Sequence, residues 1–345
     1  MNTVISPKIS VIIINHNGKE FLNRCFSSLL STEYENFEII FVDNASTDES
    51  IEFVVNKFKD NRIAIIQNEK NFGVPGGRNI GFSKANGEYI VFLDNDTEVE
   101  AQWLKELIKV FQSDSLIAVA QSKLLKMDKK DKFDHAGDLF TPFGFLYERS
   151  ANSIDEGQFD RIEDILSAKG AATMIKSSAF KELGQYDDSY YMYLEETDFC
   201  FRVWLAGYKV VFVFSSIVWH AFETPLKDRK KYYSNYVVRY YGCRNYISTL
   251  LKNLSLFNVV RIVPIHIFCW IFLSLFFMMK GLFKDSYWIF KGILWNFSNF
   301  PKILKKRLFV QKKLRKVRDR DFLNKLMVYQ GFNYYLKKAF CYLSD

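Results

Sequence analysis

The chain has 345 residues, of which 49% are apolar and 25% charged, with a formal net charge of +8; that composition excludes a disordered chain and leaves room for one large domain or two smaller ones. The charge is uneven, because residues 301–345 hold thirteen Lys or Arg against three Asp, so the basicity belongs to the tail. With an apolar, aromatic stretch before it and no nucleic-acid-binding motif, the tail points to an anionic membrane surface and away from nucleic acid.

Lys8 to Ile14 is a continuous apolar run of the kind buried on both faces of a parallel sheet, and it ends in Asn15-His16-Asn17-Gly18. Phe21, Leu22, Cys25, Phe26, Leu29 and Leu30 then recur at helical spacing. A second strand, Phe37–Val42, breaks into polar residues from Asp43 to Asp48, where Thr47 or Asp48 is expected to cap a helix carrying Ile51, Val54, Val55 and Phe58. A third strand, Arg62–Ile66, leads into Asn68–Gly77, read as a glycine-rich loop that lets the backbone approach a ligand, with a helix starting at Arg78. The fourth strand, Tyr89–Leu93, stops at Asp94-Asn95-Asp96.

In an open α/β sheet the loops after parallel strands share the carboxyl edge where ligands bind. Two carboxylates one residue apart on that edge suit Mg²⁺ or Mn²⁺ carrying a diphosphate; a solvated turn is the bland alternative. Neither Gly-x-Gly-x-x-Gly nor Gly-Lys-Ser/Thr follows the first strand, which excludes a dinucleotide fold and a P-loop. Phosphate binding would rest on the metal and on Arg78.

Trp103–Phe111 reads as an amphipathic helix, Ile117–Gln121 as a strand, Lys126–Lys132 as a charged turn, and Asp134–Glu148 as a hairpin or loop over the site. Small residues from Ser167 to Ala172 leave room for a substrate before a short strand at Thr173–Ile175. Glu195-Glu196-Thr197-Asp198 open a helix reaching Gly207. Carboxylates there suit the helix dipole, but aromatic neighbours would also desolvate one of them toward the range of a general base. After a last strand at Val210–Phe214, His220 is either a structural histidine or a third ligand beside Asp94 and Asp96.

Ile262–Met279 is an eighteen-residue run without Asp, Glu, Lys or Arg, long enough to span a bilayer. Pro264 and His266 interrupt it, and one span would place the basic tail opposite the catalytic part, against the positive-inside tendency. Helices lying in the interface, with Trp288, Trp295 and Phe297 dipping in, are the expectation; burial against the protein itself, or against a second copy in a homo-oligomer, is the alternative. Cys25, Cys200, Cys243, Cys269 and Cys341 show no metal or disulfide spacing, and no cleavage pattern opens the chain, so the catalytic part is expected in the cytosol.

Ile12-Ile13-Ile14-Asn15-His16-Asn17-Gly18, Val42-Asp43-Asn44-Ala45-Ser46-Thr47-Asp48, Asn71-Phe72-Gly73 through Arg78-Asn79-Ile80-Gly81, Leu93-Asp94-Asn95-Asp96 and Glu195-Glu196-Thr197-Asp198, in that order, resemble the family 2 glycosyltransferases, most nearly the rhamnosyltransferase-like branch. The resemblance implies a GT-A fold, a mostly parallel α/β sheet flanked by helices, over residues 1–225; the apolar, aromatic and basic residues beyond it are expected to make 226–345 a helical, membrane-associating region. It implies metal-dependent, inverting transfer from a nucleotide-diphosphate sugar to a lipid-linked or growing glycan at the inner face of the cell membrane, with dTDP-rhamnose as leading donor and a UDP-hexose or UDP-galactofuranose as variant. Asn15, Asn17 and Asp43 would line the nucleoside, with Arg78 and Asn95 nearby. Asp94, Asp96 and His220 would hold Mg²⁺ or Mn²⁺, and Glu196 would be the base. The family pattern usually has Asp at that last position, so Glu195 stays the alternative. A non-catalytic sugar-nucleotide-binding scaffold is the competing class.

Overall fold

A computed structural model of the chain describes residues 6–150, 153–221, 235–331 and 333–335. The expected boundary at residue 225 and Cys341 lie outside the described residues. The first part alternates as its pattern predicts: β1 (Ile9–Asn15), α1 (Lys19–Leu30), β2 (Phe37–Asp43), α2 (Ser50–Lys57), β3 (Ile63–Gln67), α3 (Gly73–Phe82) and β4 (Tyr89–Asp94). There follow β5 (Thr97–Val99), α4 (Trp103–Ser113), β6 (Ile117–Lys126), and four short strands, β7 (Phe133–His135), β8 (Asp138–Phe140), β9 (Leu146–Glu148) and β10 (Glu163–Asp164). Next come β11 (Ala172–Lys176), α5 (Ser177–Glu182), α6 (Glu195–Leu205) and β12 (Lys209–His220), then α7 (Asn235–Asn253), α8 (Leu256–Met279), α9 (Phe283–Ser298), α10 (Phe300–Phe309) and α11 (Asp319–Leu326).

The main sheet runs β10-β12-β6-β11-β4-β1-β2-β3. Pairing is parallel from β4 through β1 and β2 to β3 and between β6 and β12, while β11 lies antiparallel between β4 and β6. Helices cover both faces, which is why β1 and β4 read as unbroken apolar runs. Register aligns Asn15 with Asp43 and Ile14 with Asp94, so the polar strand ends share one edge.

The helix after β3 starts at Gly73, so half of the anticipated glycine loop is helical. The later glycines serve packing: a Cβ at Gly81 would sit 2.4 Å from Ile12 Cγ2, and one at Gly77 would sit 3.2 Å from Ile14 Cγ2. Absent side chains let α3 lie directly on β1 and β2. Likewise β12 continues past Phe214 to His220, because a bulge leaves Phe214, Ser215 and Ser216 without partners in β6 before pairing resumes at Ile217.

The C-terminal helices continue the main core, since Leu250, Ile262 and Phe322 belong to the same buried cluster as Phe92 and Ile165 of the sheet side. A smaller core of Cys243, Ile247, Trp270, Phe277 and Ile293 joins α7, α8 and α9. Their outer side is apolar: of the twenty-six large hydrophobic side chains exposed among the described residues, twenty lie between Leu256 and Phe309. Phe297 is 65% exposed, as expected. Trp288 and Trp295 are not turned outward in the same way; both are half-buried, with Trp288 stacked on Tyr236 at 5.4 Å and Trp295 under the Arg244 guanidinium at 4.6 Å.

Candidate active site

The end of β4 and the end of β12 bring Asp94, Asp96 and His220 together, with one ligand-capable atom of each within 4.8 Å of the others. His220 Nε2 lies 3.3 Å from Asp96 Oδ1 and 3.9 Å from Asp94 Oδ2. Its other nitrogen, Nδ1, is 2.9 Å from Asp134 Oδ2 and donates to that carboxylate. This fixes the ring so that Nε2 faces the two aspartates, the arrangement that orients metal-bound imidazoles. The donor set, two carboxylates and one imidazole, fits a divalent cation.

Burial alone would lower the His220 pKa, but Asp96 and Asp134 lift it to about 10, so the imidazole carries a proton when no cation balances the aspartates. Burial would also raise the pKa of Asp134; the His220 hydrogen bond and Lys169, 2.9 Å away, hold it well below the usual carboxylate range instead. Asp134 and Lys169 escape sequence reading, because nothing in their spacing relates them to His220.

Arg78, expected beside the nucleotide, is only 3% exposed. Its guanidinium donates to Asp94 Oδ1 at 2.9 Å, Glu195 Oε1 at 3.2 Å and the Gly170 carbonyl at 2.8 Å. It therefore ties the end of β4 to the start of α6. Gly170 is required there, since a Cβ would sit 2.2 Å from Arg78 Nη1. Glu195 is 2% exposed. Burial and the adjacent Glu196 charge push its carboxyl well above the ordinary range, against the pull of Arg78. Glu196 is partly exposed, and its Oε2 is buried without a hydrogen-bond partner.

Asn15 and Asp43 lie at the edge between the first two loops, where Asn15 Nδ2 donates to Asp43 Oδ1 at 3.1 Å and to Ser46 Oγ at 3.0 Å. Asn95 Nδ2 donates in turn to Asn15 Oδ1 at 2.6 Å, linking this network to the Asp-Asn-Asp turn. Asn17, at φ 54°, accepts from the Thr47 amide at 2.7 Å. Asp43 is fully buried. Asp48, expected to cap α2, accepts from the amide of Lys19 at 2.8 Å and so caps α1 as well as bonding Ser50.

Residues 10–184 match the family described as glycosyl transferase family 2. The chain is 37% identical over 112 residues to an uncharacterized glycosyltransferase of Haemophilus influenzae, covering 32% of this chain and 45% of that protein. It is 26% identical over 200 residues to the low-salt glycan biosynthesis hexosyltransferase Agl10 of Haloferax volcanii, covering 56% and 61%. It is 42% identical over 88 residues to the UDP-Glc:alpha-D-GlcNAc-diphosphoundecaprenol beta-1,3-glucosyltransferase WfaP of Escherichia coli, covering 26% and 35%. The chain thus spans between 35% and 61% of the length of these relatives. In fold it is similar to GalNAc-T7, solved with UDP, GalNAc and Mn²⁺, with a TM-score of 0.53 at 19% identity, covering 75% of this chain and 54% of that one. It is equally similar to the mannosyltransferase PcManGT from Pyrobaculum calidifontis, solved with GDP-Man and Mn²⁺, with a TM-score of 0.53 at 12% identity, covering 89% and 86%.

Proposed function

The chain belongs to glycosyl transferase family 2 and has the GT-A fold, and from that premise we propose that it moves a sugar from a nucleoside-diphosphate donor to a lipid-linked or cell-envelope glycan, with inversion at the anomeric carbon. The observation that carries this reading is the line of groups along one sheet edge: Asp94, Asp96 and His220 within 4.8 Å of one another, joined through Arg78 to the Glu195–Glu196 pair. Asp94, Asp96 and His220 Nε2 would hold Mg²⁺ or Mn²⁺, and the bound cation would supply positive charge to the departing diphosphate. Glu196 takes the proton of the acceptor hydroxyl as that oxygen bonds the anomeric carbon and the bond to diphosphate breaks. It suits the task better than Glu195, which Arg78 engages and burial disfavours as an anion. Asn17 and Asn95, partly exposed, form the nucleoside side with the buried Asn15 and Asp43 behind them, and Arg78 positions Asp94 and Glu195.

The resemblance favours dTDP-rhamnose as donor; UDP-glucose is the second reading, favoured by the relative named for UDP-Glc and a diphosphoundecaprenol-linked sugar. A panel of dTDP-rhamnose, UDP-glucose, UDP-galactose and UDP-galactofuranose with Mn²⁺, read by nucleoside diphosphate release, tests both. We expect release with one donor, none with Asp96→Ala, and lowered turnover with donor binding retained in Glu196→Gln. No release from any donor would count against a transferase of this class.

We further propose that the enzyme sits on the cytoplasmic face of the cell membrane as a peripheral or monotopic protein, with α8, α9 and α10 on anionic lipid. Supporting this, residues 256–318 hold thirteen Lys or Arg against one Asp, interleaved with the exposed apolar side chains. Although α8 is long and apolar enough to cross a membrane, Ile262, His266, Trp270 and Phe277 along it are buried in the protein, which favours lying over spanning. Co-sedimentation with phosphatidylserine vesicles, weak binding to phosphatidylcholine, and release by high salt or carbonate are expected. Extraction by detergent alone would contradict it.

A further inference from the structure

Glu195 and Glu196 open α6 from a backbone that resists its own shape. Tyr191, Tyr193 and Leu194, none of them glycine, have φ of 63°, 64° and 67°, on the positive side that L-residues avoid. Such conformations persist only where the surroundings impose them. The surroundings here are two helices. On one side the Val74 amide at the start of α3 donates to the Tyr191 carbonyl at 2.7 Å. On the other, Asn245 of α7 is 1% exposed and its Nδ2 donates to the carbonyls of Tyr190, Met192 and Tyr193 at 3.2, 2.8 and 2.8 Å. Arg244 sets the amide: its Nε donates to Asn245 Oδ1 at 2.8 Å while its Nη2 reaches the Tyr190 carbonyl at 2.8 Å.

We propose that Asn245, oriented by Arg244, is a positioning residue for the transfer, holding Tyr191–Leu194 in the one backbone path that presents Glu196 to the acceptor. A helix of the C-terminal layer thereby completes the catalytic centre without touching substrate. The proposal rests on the reading of Glu196 as base. Its consequence is specific, because rotation at Leu194 would swing both carboxylates and release Glu195 from Arg78, while Arg78 keeps the Gly170 carbonyl and Asp94, and Asp96, His220 and the nucleoside loops keep their own contacts.

The test uses the full chain with the donor that the panel identifies. Asn245→Ala is expected to lower kcat about a hundredfold, the scale of a catalytic group displaced by about 1 Å. Donor KM and Mn²⁺-dependent binding of dTDP or UDP should stay within about threefold of wild type, because their site does not move. Adding Leu194→Gly, which accepts the left-handed conformation without a Cβ penalty, should recover about tenfold of the loss. If Asn245→Ala does not fold, Asn245→Ser, retaining one donor, reads the same split. Full turnover in a folded Asn245 variant, or a fall in nucleotide binding equal to the fall in kcat, would overturn the proposal. Glu196→Gln measured in parallel separates the two claims: normal turnover there alongside a kcat loss in Asn245→Ala removes Glu196 as base and leaves Asn245 positioning another group of the same turn.

Discussion

Asp134 holds His220 in the ring orientation and tautomer that leave Nε2 toward Asp96, with Lys169 behind it as counter-charge. Asp134→Ala should weaken Mn²⁺ binding about 10- to 100-fold, the usual cost of losing a partner of a metal-bound imidazole, and calorimetry with dTDP and Mn²⁺ measures it; unchanged affinity would show the contact to be idle. Asp94 and Asp96 were readable because the apolar run of β4 breaks off there; His220 was one reading of two, because the last strand was expected to end at Phe214 and in the structure runs on to His220. Asp134 was not, since it reaches His220 only after β7 has paired with β6. Arg78 was visible as a cation near the edge but not as a buried one. Once desolvated it needs carboxylates around it, and Asp94 and Glu195 supply them. Spacing likewise could not separate Glu195 from Glu196, as neighbours on a helix differ in direction by about 100° and only the packing decides which turns inward.

Among the elements, the parallel strands carried the clearest signal, because burial on both faces demands unbroken Ile, Val and Phe. The short strands β5, β7 and β10 carry almost none: three residues or fewer in length, they exist through their pairing with longer neighbours. Glycine misled at α3. Its cluster reads as a loop by propensity, yet the tight approach to Ile12 and Ile14 selects it within a helix. The C-terminal helices were legible as helices with an apolar side, but aromaticity alone did not say which rings face outward. Trp288 and Trp295 fill space between α7 and α9, leaving Phe283, Phe290 and Phe297 on the outside.

At the scale of the molecule, the C-terminal layer is joined to the catalytic part at His266 of α8. Fully buried, its ring meets the Phe143 carbonyl, in the loop between β8 and β9, at 3.2 Å through Nδ1, and Nε2 accepts from the Trp270 indole at 3.0 Å. Both nitrogens are satisfied only in the neutral form, because a proton on Nε2 would face the indole N–H. Burial accordingly pushes the pKa from an ordinary 6.5 down to about 4, despite the Phe143 contact. In the unfolded chain the imidazole titrates near 6.5, so between there and 4 the unfolded state binds a proton that the folded state refuses. The stability His266 contributes is therefore complete above about pH 6.5 and is lost as the pH falls toward 4, by about 3 kcal/mol in all. His135 and His220, with raised pKa values, act in the opposite sense, but they are common to wild type and a His266→Gln variant and cancel in the comparison. Urea unfolding of both proteins at pH 7.5, 5.5 and 4.5 should show the wild-type advantage shrinking with each step; a gap independent of pH would mean that His266 is not the acid-sensitive joint between the helical layer and the sheet.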